Sequence, residues 1–366
     1  STTPAAPFGA EGSRFQRTPR CLPLRGRTGA RGERRGMRRV MSYTVAVVGA
    51  TGAVGREMLR VLEERDFPIK ELRLLASPRS AGLELPFRGG AVAVAALTAE
   101  SFVGVDYALF SAGASVSREF GPIAAAAGAV VIDNSSAWRM DPEVPLVVPE
   151  VNLAAAEVRP KGIIANPNCS TIQMVVALKP LHDAAKLVHI TVATYQATSG
   201  KGQAAVVELR EQARAVLAGE APKANIFPKT MAFNVISDWK TGADDYSEEE
   251  WKMVHETRKI LGDATISVSP TTVRVPVENG HSEAIWARFE RPMLPEEAKD
   301  LLEKAPGVIL DRSAYVPGGG PDPRMATGRD EVFVGRVRAD VGTPGGLCLF
   351  VVADNLRKGA ATNAVQ

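Results

Sequence analysis

Cysteine is scarce in this chain: 366 residues hold three, Cys21, Cys169 and Cys348. An odd, widely spaced set excludes a disulfide framework and metal-ligand spacing, so no metal is expected and a reducing compartment, read as the cytoplasm, is. No run of about 18 apolar residues occurs, so no segment is read as membrane-spanning. Acidic residues are nearly missing from the first 40 positions, where ten arginines face only Glu11 and Glu33. That stretch carries +8, leaving −5 for the rest of a chain whose total is +3. With Gly and Pro scattered through it and no apolar periodicity, residues 1–40 read as a disordered basic leader. Arg-rich and acid-poor, it could be a transit peptide or a nucleic-acid tail. Its poverty in Ser and lack of an amphipathic pattern favour a dispensable extension ahead of a start near Met41. The remainder, in a chain that is 45% hydrophobic and 23% charged, is long enough for two globular domains. Neither nucleic acid nor membrane is expected as a partner.

What is present begins at Tyr43. Thr44-Val45-Ala46-Val47-Val48 is a β-branched run, followed by Gly49-Ala50-Thr51-Gly52-Ala53-Val54-Gly55 and a helical pattern through Met58, Leu59, Val61 and Leu62. Strand, glycine turn and helix in this order make a dinucleotide cradle. Gly49 permits the tight turn, Gly52 the approach of backbone N–H groups to a pyrophosphate, and Gly55 close helix packing, although the spacing is GxxGxxG rather than GxGxxG. The next strand, Glu71–Ala76, runs into Ser77-Pro78-Arg79-Ser80 with no carboxylate for a ribose 2′-hydroxyl. Two hydroxyls and a guanidinium suit a 2′-phosphate, so the cofactor is read as NADP.

Strands at Asp106–Phe110 and Ala129–Asp133, with a helical 119–127 between them, continue the alternation expected of a Rossmann-type, doubly wound parallel sheet in an α/β fold. Arg139 follows the second of these and is expected on the cofactor rim. Ala165-Asn166-Pro167-Asn168-Cys169-Ser170-Thr171 then reads as strand, turn and helix. Asn168 is a good N-cap, which places Cys169 in the first helical turn, where open N–H groups and the helix dipole favour thiolate: a candidate nucleophile. Beyond it the pattern changes to strands at 188–194, 273–277 and 283–289, the last two joined through Asn279-Gly280 as a hairpin, and a helix at 204–217. This reads as a separate α+β lobe with an antiparallel or mixed sheet. His281, expected to be exposed beside that hairpin turn, is the best general acid/base of the four histidines. Arg274 could bind a carboxylate. The 247–261 helix sets Glu249, Lys252 and Glu256 along one face, by default a solvated, salt-bridged one. The apolar 346–353 strand and a helical 355–365 are expected to return to the nucleotide domain, giving 41–168 with 347–366 as that domain and 169–346 as the catalytic one.

These motifs, ordered as they are from Tyr43 to Gln366, resemble aspartate-β-semialdehyde dehydrogenases; Tyr195-Gln196-Ala197-Thr198-Ser199-Gly200, Arg274-Val275-Pro276-Val277 and Gly280-His281-Ser282-Glu283 complete the set. The resemblance implies reductive dephosphorylation of L-aspartyl-4-phosphate by NADPH through a thioester on Cys169, in a homodimer. It implies that Gln196 orients the substrate, that His281 is the acid/base, and that Arg274 and Glu249 hold the amino-acid end. Arg139 and Lys252 would grip phosphate, Asn168 would stand beside the substrate, and Ser199, Gly200 and Asn355 would approach the nicotinamide. The leader lies outside the family pattern, and the family's last helix continues past the position of Gln366. Three other readings use some of the same features. A reductase of N-acetylglutamyl phosphate would turn Glu249 and Lys252 to an acetylated amine. A glyceraldehyde-phosphate type of dehydrogenase expects a different cysteine context. A non-catalytic NADP-sensing protein would tolerate any residue at positions 169 and 281.

Overall fold

The computed structural model describes residues 41–237, 242 and 244–366; the leader lies outside them. Thirteen strands appear among the described residues, in two sheets. The first sheet contains β1 (Tyr43–Val48), β2 (Ile69–Ala76), β3 (Glu84–Phe87), β4 (Gly90–Ala96), β5 (Tyr107–Phe110), β6 (Val130–Asp133) and β7 (Ile163–Ala165). Its order is β3-β4-β2-β1-β5-β6-β7, parallel throughout except for the β3–β4 hairpin at the edge. The order reverses between β1 and β5, which is the switch point where doubly wound sheets take ligands. Both faces of β1 are covered, as its unbroken apolar run requires. Ala46 and Val48 pack with Phe110 and Val131 on one side, while Val45 and Val47 pack with Met58 and Leu62 on the other. The latter two come from α1 (Ala53–Glu64); α2 (Ala114–Ala126) and the short α3 (Pro149–Asn152) complete this lobe.

The second sheet contains β8 (Leu187–Gln196), β9 (Ser267–Arg274), β10 (His281–Phe289), β11 (Val308–Asp311), β12 (Val332–Ala339) and β13 (Leu347–Ala353), in the order β11-β12-β13-β10-β8-β9. Here the expected hairpin is corrected. β9 and β10 do not pair; β8 lies between them, parallel to β9 and antiparallel to β10. Two adjacent apolar strands around an Asn-Gly read locally as a hairpin, but the β8-to-β9 crossover through α5 (Gln203–Leu217) and α6 (Glu248–Leu261) outranks that local signal. A second correction concerns the tail. β13 pairs with β10 and β12, so the chain returns to the first lobe only after Ala353, not at 347. An apolar strand buried on both faces carries no mark of which sheet it joins. The return is real beyond that point: Ala361 and Ala364 pack against the α1 side of the first sheet, and Arg357 bonds Glu57 and Glu64 of α1. Residues 357–361 form a π-turn run before the short Thr362–Val365 helix, rather than one continuous helix.

Between the sheets runs α4 (Cys169–Ala185). Its first half, Ser170 to Leu178, is buried on every side, as a helix segment enclosed by a core must be. Ile172, Met174, Val175, Ala177, Leu178 and Leu181 are all fully buried in the cluster that joins the two lobes. The helix therefore cannot shift without disturbing both sheets, and its first residue is Cys169. The ends of the other elements meet there. Gln196 and Arg274 are cross-strand partners at the last positions of β8 and β9, and His281 opens the antiparallel β10 at the same edge. A further helix, α7 (Pro295–Lys304), packs beside α4 on the same face of the second sheet, against β11 and β12.

Candidate active site

Asn168 caps α4, its Oδ1 accepting from the N–H groups of Ser170 (3.0 Å) and Thr171 (3.2 Å). Cys169 follows as the first helical residue, half-buried at the floor of a cleft of about 330 Å³ lined from both lobes. Gly359 backs it so closely that an added Cβ would lie 2.8 Å from the cysteine Cβ. The thiolate that a helix start favours meets an opposing effect here. Burial pushes the Cys169 thiol up, and the Glu249 carboxylate pushes the same way, to about 12 despite the pull of Arg274, Arg139 and the helix N–H groups. The field of a helix end is worth under about 2 kcal/mol and is outweighed by desolvation beside an anion.

Glu249 is the hub of the cleft. One carboxylate oxygen accepts from Asn168 Nδ2 (2.6 Å) and Gln196 Nε2 (3.3 Å), the other from Lys252 Nζ (3.1 Å). Burial alone would raise its pKa, but Lys252, the Asn168 amide and Arg274 together bring it to about 2, so it is ionised at neutral pH. Gln196 also donates to Ser170 Oγ (2.8 Å), and Arg274 donates to the Ala197 carbonyl. The α6 face read as solvated is thus turned inward. Its start is set by a reciprocal Ser247–Glu250 capping box, which brings Glu249, Lys252 and Glu256 to successive turns on the cleft side.

Glu256, wholly buried, was not singled out as a site residue, because i+4 charge spacing on a helix reads the same whether the face is wet or enclosed. One of its oxygens accepts from Arg139 Nη1 (3.1 Å), the other from the backbone N–H of Asn168 (2.6 Å). Arg139, expected on a rim, is itself buried and also donates to the carbonyls of Asn166 (2.9 Å) and Asn134 (3.1 Å). It lines the cleft together with Asn134, Ser136, Lys201 and Glu248.

His281 is 1% exposed, not the surface turn residue expected. Its Nδ1 accepts from the Ala197 N–H at 2.9 Å, and burial, aided by Arg274, brings its pKa to about 3. Gly200 lies over the ring: an added Cβ would be 3.3 Å from Nε2 and 2.9 Å from Arg274 Nη1. Ser199 and Asn355 bond one another at the cleft wall (2.9 Å), and Asn355 Oδ1 accepts from Gly280 N–H (2.9 Å).

The nucleotide side forms a second cleft of about 400 Å³ at the switch point, lined by Gly49, Thr51, Gly52 and Ser77 with Ser111 and Ala112. Val54 lines the active-site cleft instead, so the first turn of α1 stands between the two spaces. Gly49 has φ +83° and an added Cβ would lie 2.4 Å from the Ser111 carbonyl; at Gly55 it would lie 2.3 Å from the Gly49 carbonyl. α1 starts with no side-chain cap and no acid in its first turn, leaving N–H groups for an anion. A cradle that any side chain would fill fits a dinucleotide. Ala53, Gly55, Arg79 and Ser80 line neither cleft; Arg79 is exposed at the lip beyond Ser77. Among the described residues no group of acidic, His and Cys side chains has the geometry of a metal site, and no helix is long and apolar enough to cross a membrane.

This geometry has known counterparts. Residues 44–158 match the semialdehyde dehydrogenase NAD binding domain and residues 178–358 the semialdehyde dehydrogenase dimerisation domain, so the two lobes are those of a semialdehyde dehydrogenase, an oxidoreductase. An aspartate-semialdehyde dehydrogenase of Aquifex aeolicus is 56% identical over 334 residues, 89% of this chain and 97% of that protein. A crystal structure of aspartate semialdehyde dehydrogenase II from Vibrio cholerae, complexed with ASA, superposes with a TM-score of 0.86 at 50% identity, covering 89% and 97% of the two chains. The Candida albicans enzyme, solved with NADP, gives 0.69 at 25% identity over 89% and 97%. The chain belongs to the aspartate-semialdehyde dehydrogenase family.

Proposed function

We propose that the chain reduces L-aspartyl-4-phosphate to L-aspartate-4-semialdehyde and phosphate, an aspartate-pathway step, with NADPH as reductant and an acyl thioester on Cys169. The observation that carries this is the meeting, at one end of α4, of a thiol, an ionised carboxylate and three cations contributed by both lobes. Glu249 suits a substrate ammonium and Arg274 its α-carboxylate, so the amino-acid end is held by opposite charges at a fixed spacing. An acetylated amine would offer Glu249 no substrate cation, which disfavours the N-acetylglutamyl substrate. Gln196, tied to Ser170 and Glu249, orients the acyl group over Sγ, with Asn168 beside it. Arg139 and Lys252 face the leaving phosphate, one as a fork and one as a point charge.

For the cofactor, the N–H groups from Thr51 to Val54 and the glycine turn would hold the pyrophosphate, and Ser77, Arg79 and Ser80 the 2′-phosphate. Ser199, Gly200 and Asn355 would border the nicotinamide. Bound there, a dihydronicotinamide supplies hydride to the thioester carbon. The same reading makes the protein a cytoplasmic homodimer, since exposed Tyr195 and Trp286 share the outer face of the second sheet, in the segment that matches a dimerisation domain. The test is NADP reduction by L-aspartate-4-semialdehyde. Turnover that needs phosphate or arsenate and strongly prefers NADP over NAD is expected; turnover without either anion, or equal use of NAD, would overturn the reading.

A further inference from the structure

Lys259 stands in the last turn of α6. A lysine there is ordinarily explained by the helix dipole, with its head in water. Here the ammonium crosses instead to the first lobe and donates to three backbone carbonyls, those of Arg139 (2.8 Å), Asp141 (2.7 Å) and Val144 (2.8 Å). Three acceptors use all three N–H bonds of an ammonium, and a neutral amine could not serve them all. The carbonyls belong to residues 134–145, which lie outside any helix or strand, so the lysine fixes a backbone that no regular ladder holds. Another tie on this stretch, Lys161 with Asp141 (2.6 Å) and Glu143 (3.1 Å), is partly exposed and weaker for it. Arg139 is thus held by one helix at both ends: Glu256 accepts from its guanidinium at 3.1 Å, and Lys259 donates to its carbonyl. Lys252, Glu256 and Lys259 follow at intervals of four and three residues and so share one face of α6. That face presents the second-lobe cation directly and places the first-lobe cation through two intermediaries.

We propose that Lys259 is a positioning residue for the phosphate site: by tying down the backbone from Arg139 to Val144, it sets the spacing between the Arg139 guanidinium and the Lys252 ammonium. This rests on the acyl-phosphate reading above, since phosphate is what the two cations would grip. An ion pair at the end of a long side chain fixes the head but not the backbone that carries it. Without Lys259 the stretch can drift while the Arg139–Glu256 pair persists, and the arginine fork then no longer meets an anion held by Lys252. Lys259 itself reaches neither substrate nor phosphate; its three N–H bonds are already spent on the carbonyls.

The test uses the intact enzyme carrying Lys259→Met, which keeps an apolar stem and removes the ammonium. In semialdehyde oxidation the phosphate KM is expected to rise about tenfold. The semialdehyde and NADP constants, and the rate at saturating phosphate, should change by less than about twofold. An unchanged phosphate constant, or a loss spread equally over all three substrates, would overturn the proposal. Because the effect runs through Arg139, adding Lys259→Met to Arg139→Ala should raise the phosphate constant little further, and additive losses would overturn it. Should three unpaired carbonyls prevent folding, Lys259→Gln, whose amide still donates two hydrogen bonds, carries the same comparison with a smaller shift. Amide hydrogen exchange in the free enzyme needs no substrate. Residues 138–145 are expected to exchange about tenfold faster in either variant while α4 keeps its wild-type protection; wild-type exchange in that stretch would overturn the positioning role. A wild-type enzyme that turns over without phosphate would strike only the acyl-phosphate reading, and the exchange result would still decide whether Lys259 holds the loop.

Discussion

At Cys169 two physical tendencies oppose each other, and their magnitudes decide. A helix N-terminus lowers a thiol pKa, but only while the thiol remains solvated; beside Glu249 and under α6, desolvation prevails and the thiol is pushed up to about 12. A raised thiol pKa means that the reactive thiolate fraction grows about tenfold per pH unit until that value is reached. Alkylation of Cys169 by iodoacetamide in the free enzyme should therefore climb steadily from pH 7 to 10; a plateau below pH 8 would show a preformed thiolate. Glu256 supplies a second residue-scale expectation. Its two oxygens hold Arg139 and the Asn168 N–H in a dry setting, so Glu256→Gln breaks a buried ion pair and should lower unfolding free energy by on the order of 3 kcal/mol. Urea denaturation reads this, and a loss under about 0.5 kcal/mol would make the contact incidental. Cys169, Arg274 and His281 stood out in the sequence by residue type and local context, whereas Gln196 came only with the family resemblance. Their burial was not legible, since no local pattern reports what a distant helix will cover, and for the same reason Glu256 read as an ordinary solvated glutamate.

Among the elements, the β1–glycine turn–α1 unit was the most legible. Its three glycines have steric reasons that can be stated position by position, and at two of them, Gly49 and Gly55, backbone atoms leave no room for a Cβ. Gly55→Ala places a Cβ 2.3 Å from the Gly49 carbonyl and 2.8 Å from Ala50 Cα, so α1 must move off the turn. The expected result is a loss of about 1–3 kcal/mol in stability together with weakened NADPH binding by fluorescence titration; native affinity in a folded variant would separate the cradle from the cofactor. The second lobe was less legible. Its strands were found, but the pairing was assigned to chain neighbours β9 and β10 when the long crossover through α5 and α6 had placed β9 beside β8. Sequence-local turn chemistry cannot register a competing partner some 80 positions away. The same limit applies to β13, an apolar strand that joined the second sheet although the residues after it return to α1.

In the whole molecule, residues of two lobes meet around one cleft. Arg139 comes from the first lobe and Lys252 from α6 of the second, and they line the same cleft. Each is already balanced by a carboxylate, Glu256 and Glu249 respectively, so neither needs a bound anion for its burial to be tolerated. A leaving phosphate adds a charged hydrogen bond to each, worth roughly 1.5–3 kcal/mol. Arg139→Ala and Lys252→Ala should each raise the phosphate KM of semialdehyde oxidation by on the order of ten- to a hundredfold, with semialdehyde and NADP constants moving much less. Shifts below about twofold in both would make them ordinary structural cations. The covalent step itself can be weighed. Enzyme mixed with L-aspartate-4-semialdehyde and NADP in phosphate-free buffer, then quenched in acid and digested, should show an aspartyl acyl group on the peptide that contains Cys169, and added phosphate should discharge it. An enzyme that reduces NADP with no such adduct, or a Cys169→Ala variant that keeps its turnover, would contradict the account.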